Sequence, residues 1–173
     1  MKEFLIKTGF DNIGEVAVES IVFEPSLVGL CEMNSCGNYG KCYTCPPLVG
    51  KTDELIKKAK SFDTALVLQK IYDIEDSFDI EGMTRANENF MKLIIDVNEY
   101  CMENLESFLL LGAGGCRICS PCGAVDGTPC RFPEKAVASL ESYGIQVSHL
   151  ASLGGMKYIN GQNTVTYFGA IFI

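Results

Sequence analysis

Nine cysteines are the residues of this 173-residue sequence with the most chemistry to offer, and eight of them fall in two short groups. Cys116, Cys119 and Cys122 stand at successive three-residue steps, and Cys130 follows eight positions later. A triplet so spaced makes a tight loop that can give one thiolate to each of three irons of a cubane. A later cysteine then completes the fourth corner. Gly123, Gly127 and Pro129 lie between Cys122 and Cys130 and give the chain room to fold back. A four-cysteine zinc site more often uses two separated pairs. The spacing therefore points to a 4Fe–4S cluster at Cys116, Cys119, Cys122 and Cys130, with zinc as the alternative.

The other group holds Cys31, Cys36, Cys42 and Cys45, separated by four, five and two residues. Pro46 follows Cys45, as a proline follows the last cysteine of the bacterial ferredoxin motif. Four thiolates here could bind a second cluster or a zinc ion. Three could bind a cluster and leave one iron open to a substrate. The ninth cysteine, Cys101, lies on an apolar helical stripe and reads as a small core hydrophobe.

Other candidate groups are sparse. His149 is the only histidine and reads as a structural residue near the end of a strand. Arg117 and Arg131 flank cysteines and could offset the charge of an iron–thiolate centre, or be plain surface charges. Gly112, Gly114 and Gly115 precede the triplet. No helix can begin there, as a dinucleotide loop would need, so they mark a turn or let backbone N–H groups approach cluster sulfurs. The acidic stretch 73–81 reads as a solvated loop, and no residues suggest a catalytic set.

The elements that must position the two groups follow from periodicity. Strands are expected over residues 15–23, 64–72, 108–111 and 164–173, the last buried on both faces. Thr52 is expected to cap a helix running to Phe62. Phe90, Ile94, Val97, Cys101, Leu105 and Phe108 recur at helical steps and predict a long helix over 84–107. Pro133 suits the first turn of another helix, ending near Tyr143 with Gly144 as a left-handed stop. Residues 31–47 are turn-formers without helical period, hence a loop. No repeat or linker divides the chain. The expected fold is a single α/β or α+β domain, residues 1–173, a sandwich with a mixed sheet of about four to six strands and two cysteine-rich metal-binding loops.

Composition sets the surroundings. A net charge of −8 repels nucleic acid and anionic lipid. No apolar run approaches the roughly eighteen residues a membrane helix needs, and Glu3 and Lys7 interrupt the N-terminal stretch before it could form a signal-peptide core. An odd number of cysteines without an export signal indicates reduced thiols and a cytoplasmic protein.

The segments CGNYGKCYTCPP and CRICSPCGAVDGTPCRFPEKAVASLESYGIQV, with the tail TVTYFGAIFI, closely resemble the predicted metal-binding proteins of unknown function, a cysteine-rich family of anaerobic bacteria and archaea. The resemblance spans nearly the whole chain. It implies metal binding, of iron–sulfur type, without a settled reaction. Cys36, Cys45, Cys116, Cys119, Cys122 and Cys130 fall on the family's cysteines, and Cys31 matches as well. Cys42 lies where the family pattern has none, either a bystander or a ligand particular to this chain. The expected role is a redox module passing electrons to a partner protein. The alternatives are an enzyme or subunit with a substrate-binding open cluster, and a zinc-stapled interaction module.

Overall fold

The computed structural model describes residues 1–173. Its spine is the pairing of β2 (Thr64–Asp73) with β5 (Thr164–Phe172), antiparallel and in register from Ala65↔Phe172 to Asp73↔Thr164. Both strands are rich in β-branched and aromatic residues, which pack well on a pleated surface. β1 (Asn12–Ala17) pairs antiparallel with the outer side of β2, and β3 (Leu109–Gly112) antiparallel with β5. The two-residue β4 (Ala138–Ser139) runs parallel to β3 at the far edge. The result is one five-stranded mixed sheet, ordered β1-β2-β5-β3-β4, in an α+β fold.

Because alternate strand residues point to opposite faces, each central strand feeds two cores. Ala65, Val67, Leu109, Leu111, Phe168, Ala170 and Phe172 face one side. There they meet Ala59 of α3 (Thr52–Ala59) and Leu150 and Ala151 of α6 (Val147–Leu153). Leu66, Leu68, Leu110 and Ile171 face the other, against Leu5 of α1 (Lys2–Thr8) and the stripe of α4 (Ile80–Asn104). That stripe is Phe90, Ile94, Val97 and Cys101, all fully buried. Gln69 is buried too, and it is satisfied: its carbonyl accepts from Asn12 Nδ2 at 2.7 Å and its amide donates to the Lys157 carbonyl at 2.6 Å. No helix is long and apolar enough to cross a membrane.

Several expected boundaries shift for identifiable reasons. The strand expected over 15–23 ends at Ala17; Val18–Ser20 makes a 3₁₀ turn that buries Val18, whose N–H donates to the Asp63 carbonyl at 2.9 Å. Only Phe23 returns to a β contact, with Ile145. Thr52 is the first residue of α3 and makes no side-chain cap, Lys51 holding the cap position. Helix α4 begins at Ile80, because the Asp79 carboxylate accepts from the Gly82 N–H at 2.7 Å. It stops at Asn104, so Leu105 and Phe108 lie beyond it, half-buried.

The helix expected after Pro133 does not form. Residues 133–135 are a turn, then comes β4, then a 3₁₀ turn at Glu141–Tyr143, with Gly144 left-handed as expected (φ 67°). Two interactions compete with helix there. Leu140 N–H donates to the Gly112 carbonyl at 3.0 Å, continuing the pairing to β3. Ser142 Oγ donates to the Ser139 carbonyl at 2.7 Å and Ser139 Oγ accepts from the Ser142 N–H, giving the backbone local partners of its own. His149 correspondingly lies on α6 and not at a strand end.

At Gly169 α4 approaches the sheet closely. A Cβ added there would lie 2.9 Å from Ile94 Cδ1 and 2.9 Å from the Leu111 carbonyl oxygen. Gly169→Ala should therefore lower stability by about 1–3 kcal/mol, the usual cost of overpacking a close-packed core. Urea denaturation checks this, and an unchanged midpoint would refute the tight approach.

Candidate metal centre

Both cysteine groups sit where the carboxyl end of β3 meets β4. The first loop leaves β1, passes Pro25–Val28 as a 3₁₀ turn and enters the short α2 (Gly29–Glu32), which carries Cys31. The Glu24 N–H donates to the Gly144 carbonyl at 2.6 Å and fastens this lead-in to the segment after β4. Beyond α2 the chain is irregular, as expected, and it closes on itself. Asn34 Oδ1 accepts from the Tyr39 N–H at 3.0 Å, and the Gly40 N–H donates to the Pro46 carbonyl at 3.0 Å. This folding brings Cys31, Cys36 and Cys45 to the wall of one recess of about 290 Å³, shared with Tyr39 and Glu141.

The second loop begins directly at β3. Gly114 is left-handed (φ 74°), and Gly115 passes so close to the first loop that a Cβ would stand 3.0 Å from Cys45 Sγ. The glycines thus serve a loop-to-loop approach; the next helix, α5 (Gly123–Asp126), begins only after the triplet. Gly127 (φ 69°) ends α5, and the Thr128 N–H donates back to the Gly123 carbonyl at 2.9 Å. The Arg131 guanidinium donates to the Pro121 carbonyl at 3.2 Å. The chain from Cys122 to Cys130 is thereby folded back, and Cys116, Cys119, Cys122 and Cys130 line a common pocket with Ile118 and Phe132.

Cys42 lies at the seam between the loops. It lines the pocket of the second group and, together with Cys36 of the first group, a larger recess; it does not line the recess shared by Cys31, Cys36 and Cys45. Cys42 Sγ is 3.3 Å from Thr44 Oγ1 and 3.8 Å from the Cys116 carbonyl oxygen. Thr44 Oγ1 in turn accepts from the Cys116 N–H at 3.0 Å, and the Tyr43 hydroxyl donates to the Thr128 carbonyl at 2.8 Å. The run Cys42–Cys45 is therefore the seat on which the second loop rests. Sequence reasoning passed over Tyr43 and Thr44; polar side chains between two cysteines of a turn-rich loop were the available signal.

The electrostatics are those of thiols crowded together. The Cys45 thiol donates to Cys42, which draws Cys42 below the ordinary thiol range and pushes Cys45 above it. Burial raises Cys116, and the neighbouring Cys42, Cys130 and Cys119 raise it further. Cys31 is raised by burial, then by Cys36 and Glu141. Ionising several of these thiols together needs a cation to offset their repulsion, which is what a bound metal supplies.

The donor set, eight thiols without histidine, suits a thiophilic metal. The space is not preformed. The pocket of the second group encloses only about 20 Å³, and no three Cys, His, Asp or Glu side chains stand where they could hold a single ion. Cys36, Cys42, Cys116, Cys119 and Cys122 also border a larger recess of about 600 Å³. Among the remaining candidates, Cys101 is fully buried on α4, its thiol pushed up to about 11 by burial. His149 is half-buried and lies outside both cysteine pockets. Arg131 borders the second group's pocket, and Arg117 the larger recess.

Residues 14–173 match the family described as "Predicted metal-binding protein (DUF2284)". The chain belongs to this family. The match takes in both cysteine loops and every strand but the first two residues of β1. No curated protein and no solved structure matches the chain.

Thr44→Val removes the acceptor of the Cys116 N–H while keeping the side-chain shape. The expected loss of stability is about 1 kcal/mol, the cost of losing a hydrogen bond to a partly buried donor. Thermal or urea unfolding of the metal-free chain measures it, and no loss would mean that Thr44 does not tie the loops.

Proposed function

We propose that the chain holds two metal centres, a 4Fe–4S cluster on Cys116, Cys119, Cys122 and Cys130 and a second centre on Cys31, Cys36 and Cys45, and serves as a redox module for a partner protein. The observation that carries this reading is the meeting of two cysteine sets at one seam, where Cys42 Sγ lies 3.8 Å from the Cys116 carbonyl oxygen and the Cys116 N–H donates to Thr44, between Cys42 and Cys45. Clusters of this kind take up and release single electrons. The chain's own residues would hold them and shape their surroundings: Ile118 and Phe132 wall the second pocket with apolar surface, and Arg131 brings a positive charge to its edge. Nine unpaired thiols suit a reducing, cytosolic setting.

A second reading has its own support. Only three cysteines line the first recess, because Cys42 faces the other pocket. A centre held by three thiolates keeps an open position for a substrate, which would make the protein an enzyme or an enzyme subunit.

Anaerobic purification with iron, sulfide and zinc analysis tests the proposal. Iron and sulfide in equal amounts, about four of each per cluster, are expected; zinc without sulfide would defeat it in favour of a zinc-stapled module. Cys116→Ser should abolish one cluster's EPR signal, and Cys101→Ala should leave metal content unchanged. Cys42→Ser separates the two readings: retained iron with an unaltered spectrum favours the open first centre, whereas loss of half the iron makes Cys42 an obligatory ligand.

A further inference from the structure

We propose that the recess between the two cysteine loops and α4 binds a small oxyanion-bearing molecule with at least two negative charges, a dicarboxylate or a comparable dianion. Its place beside redox centres rests on the function proposed above; the binding itself does not. The recess measures about 600 Å³, within the usual range of small-molecule sites. It is bordered by cysteines of both loops, Cys36 and Cys42 from the first and Cys116, Cys119 and Cys122 from the second. A molecule lodged there would touch both groups at once.

Charge identifies the ligand class. Lys41 comes from the first loop, Arg117 from the second and Lys92 from α4, against a single carboxylate, Glu88. The thiols apart, three cations less one anion leave a local charge of +2, in a chain whose net charge is −8. None of the three joins an ion pair; the six ion pairs of the protein use other residues. Lys92 Nζ reaches only Asn89 Oδ1, at 3.3 Å. Three segments remote in sequence thus bring unpaired cations to one concavity. An anion is repelled by most of this surface and focused here. The planar fork of Arg117 suits a carboxylate or similar oxyanion, and the two lysines add rotatable point charges. A concave wall favours a small molecule over the acidic face of a protein partner.

The test is calorimetric titration of the anaerobically purified, metal-analysed protein with succinate and with sulfate at low ionic strength. Saturable one-to-one binding is expected. Lys92→Gln and Arg117→Gln should each weaken it about tenfold, the effect of losing a charge-assisted contact, and Glu88→Gln should tighten it. Metal content should stay the same in all three variants. Absence of saturable binding, or binding indifferent to these substitutions, would overturn the proposal. So would loss of metal in Lys92→Gln or Arg117→Gln, which would mean that the cations balance thiolate charge. Binding of an acidic partner protein that depends on these cations, with neither small dianion bound, would also overturn it. Charge-dependent dianion binding by a chain that holds no metal would uphold the anion site and defeat the metal-centre reading alone.

Discussion

Nine residue pairs between β2 and β5 hold the central register on which the rest of the molecule depends. A slip of one residue would exchange the faces of Leu66 and Val67, and of Ile171 and Ala170, moving each set into the wrong core. With the register kept, α4 lies across one face over Gly169, while α3 and α6 cover the other. β3 then adds to the free side of β5, its Leu109, Leu110 and Leu111 continuing the same alternation. Since β3 delivers Gly115 and Cys116, the position of the second cysteine loop is inherited from this pairing.

The candidate centre is held less by its cysteines than by what surrounds them. Thr44, Tyr43 and Gly115 make the contacts that bring the two loops together, and none of them is a metal donor in the proposed set. The thiols repel one another as they ionise, and of them only Cys42 hydrogen-bonds to the other loop, at the Cys116 carbonyl. The loops are thus joined by contacts that need no thiolate, and the pocket of the second group lies nearly closed between them. Binding would exchange thiol protons for metal, so affinity should be coupled to protonation as in other thiolate sites.

Much of the fold was legible because its signals are local and periodic. The continuous apolar run from Thr64 and the tail from Thr164 read as buried strands, and the stripe from Phe90 to Cys101 read as the long helix. Errors fell where distant partners outweighed local preference. The segment after Pro133 carried helix signals, yet Ala138 and Ser139 pair with Leu111 and Gly112, and Ser139 and Ser142 satisfy the backbone locally. The strand begun at β1 broke at Ala17 because Val18 found a backbone acceptor in Asp63.

The sequence by itself determined the donor chemistry: which residues are thiols, how closely the triplet is spaced, and that glycines and prolines let Cys130 fold back. Side-chain type and short-range spacing are properties of the chain alone. Only the tertiary structure decided that Cys42 lies at the seam of the loops, that Thr44 joins them, and that Lys41, Lys92 and Arg117 share one recess. Thr44 and Cys116 are 72 positions apart. Contacts across such a distance depend on how the strands between them are ordered in the sheet, and no local pattern in the sequence encodes that order.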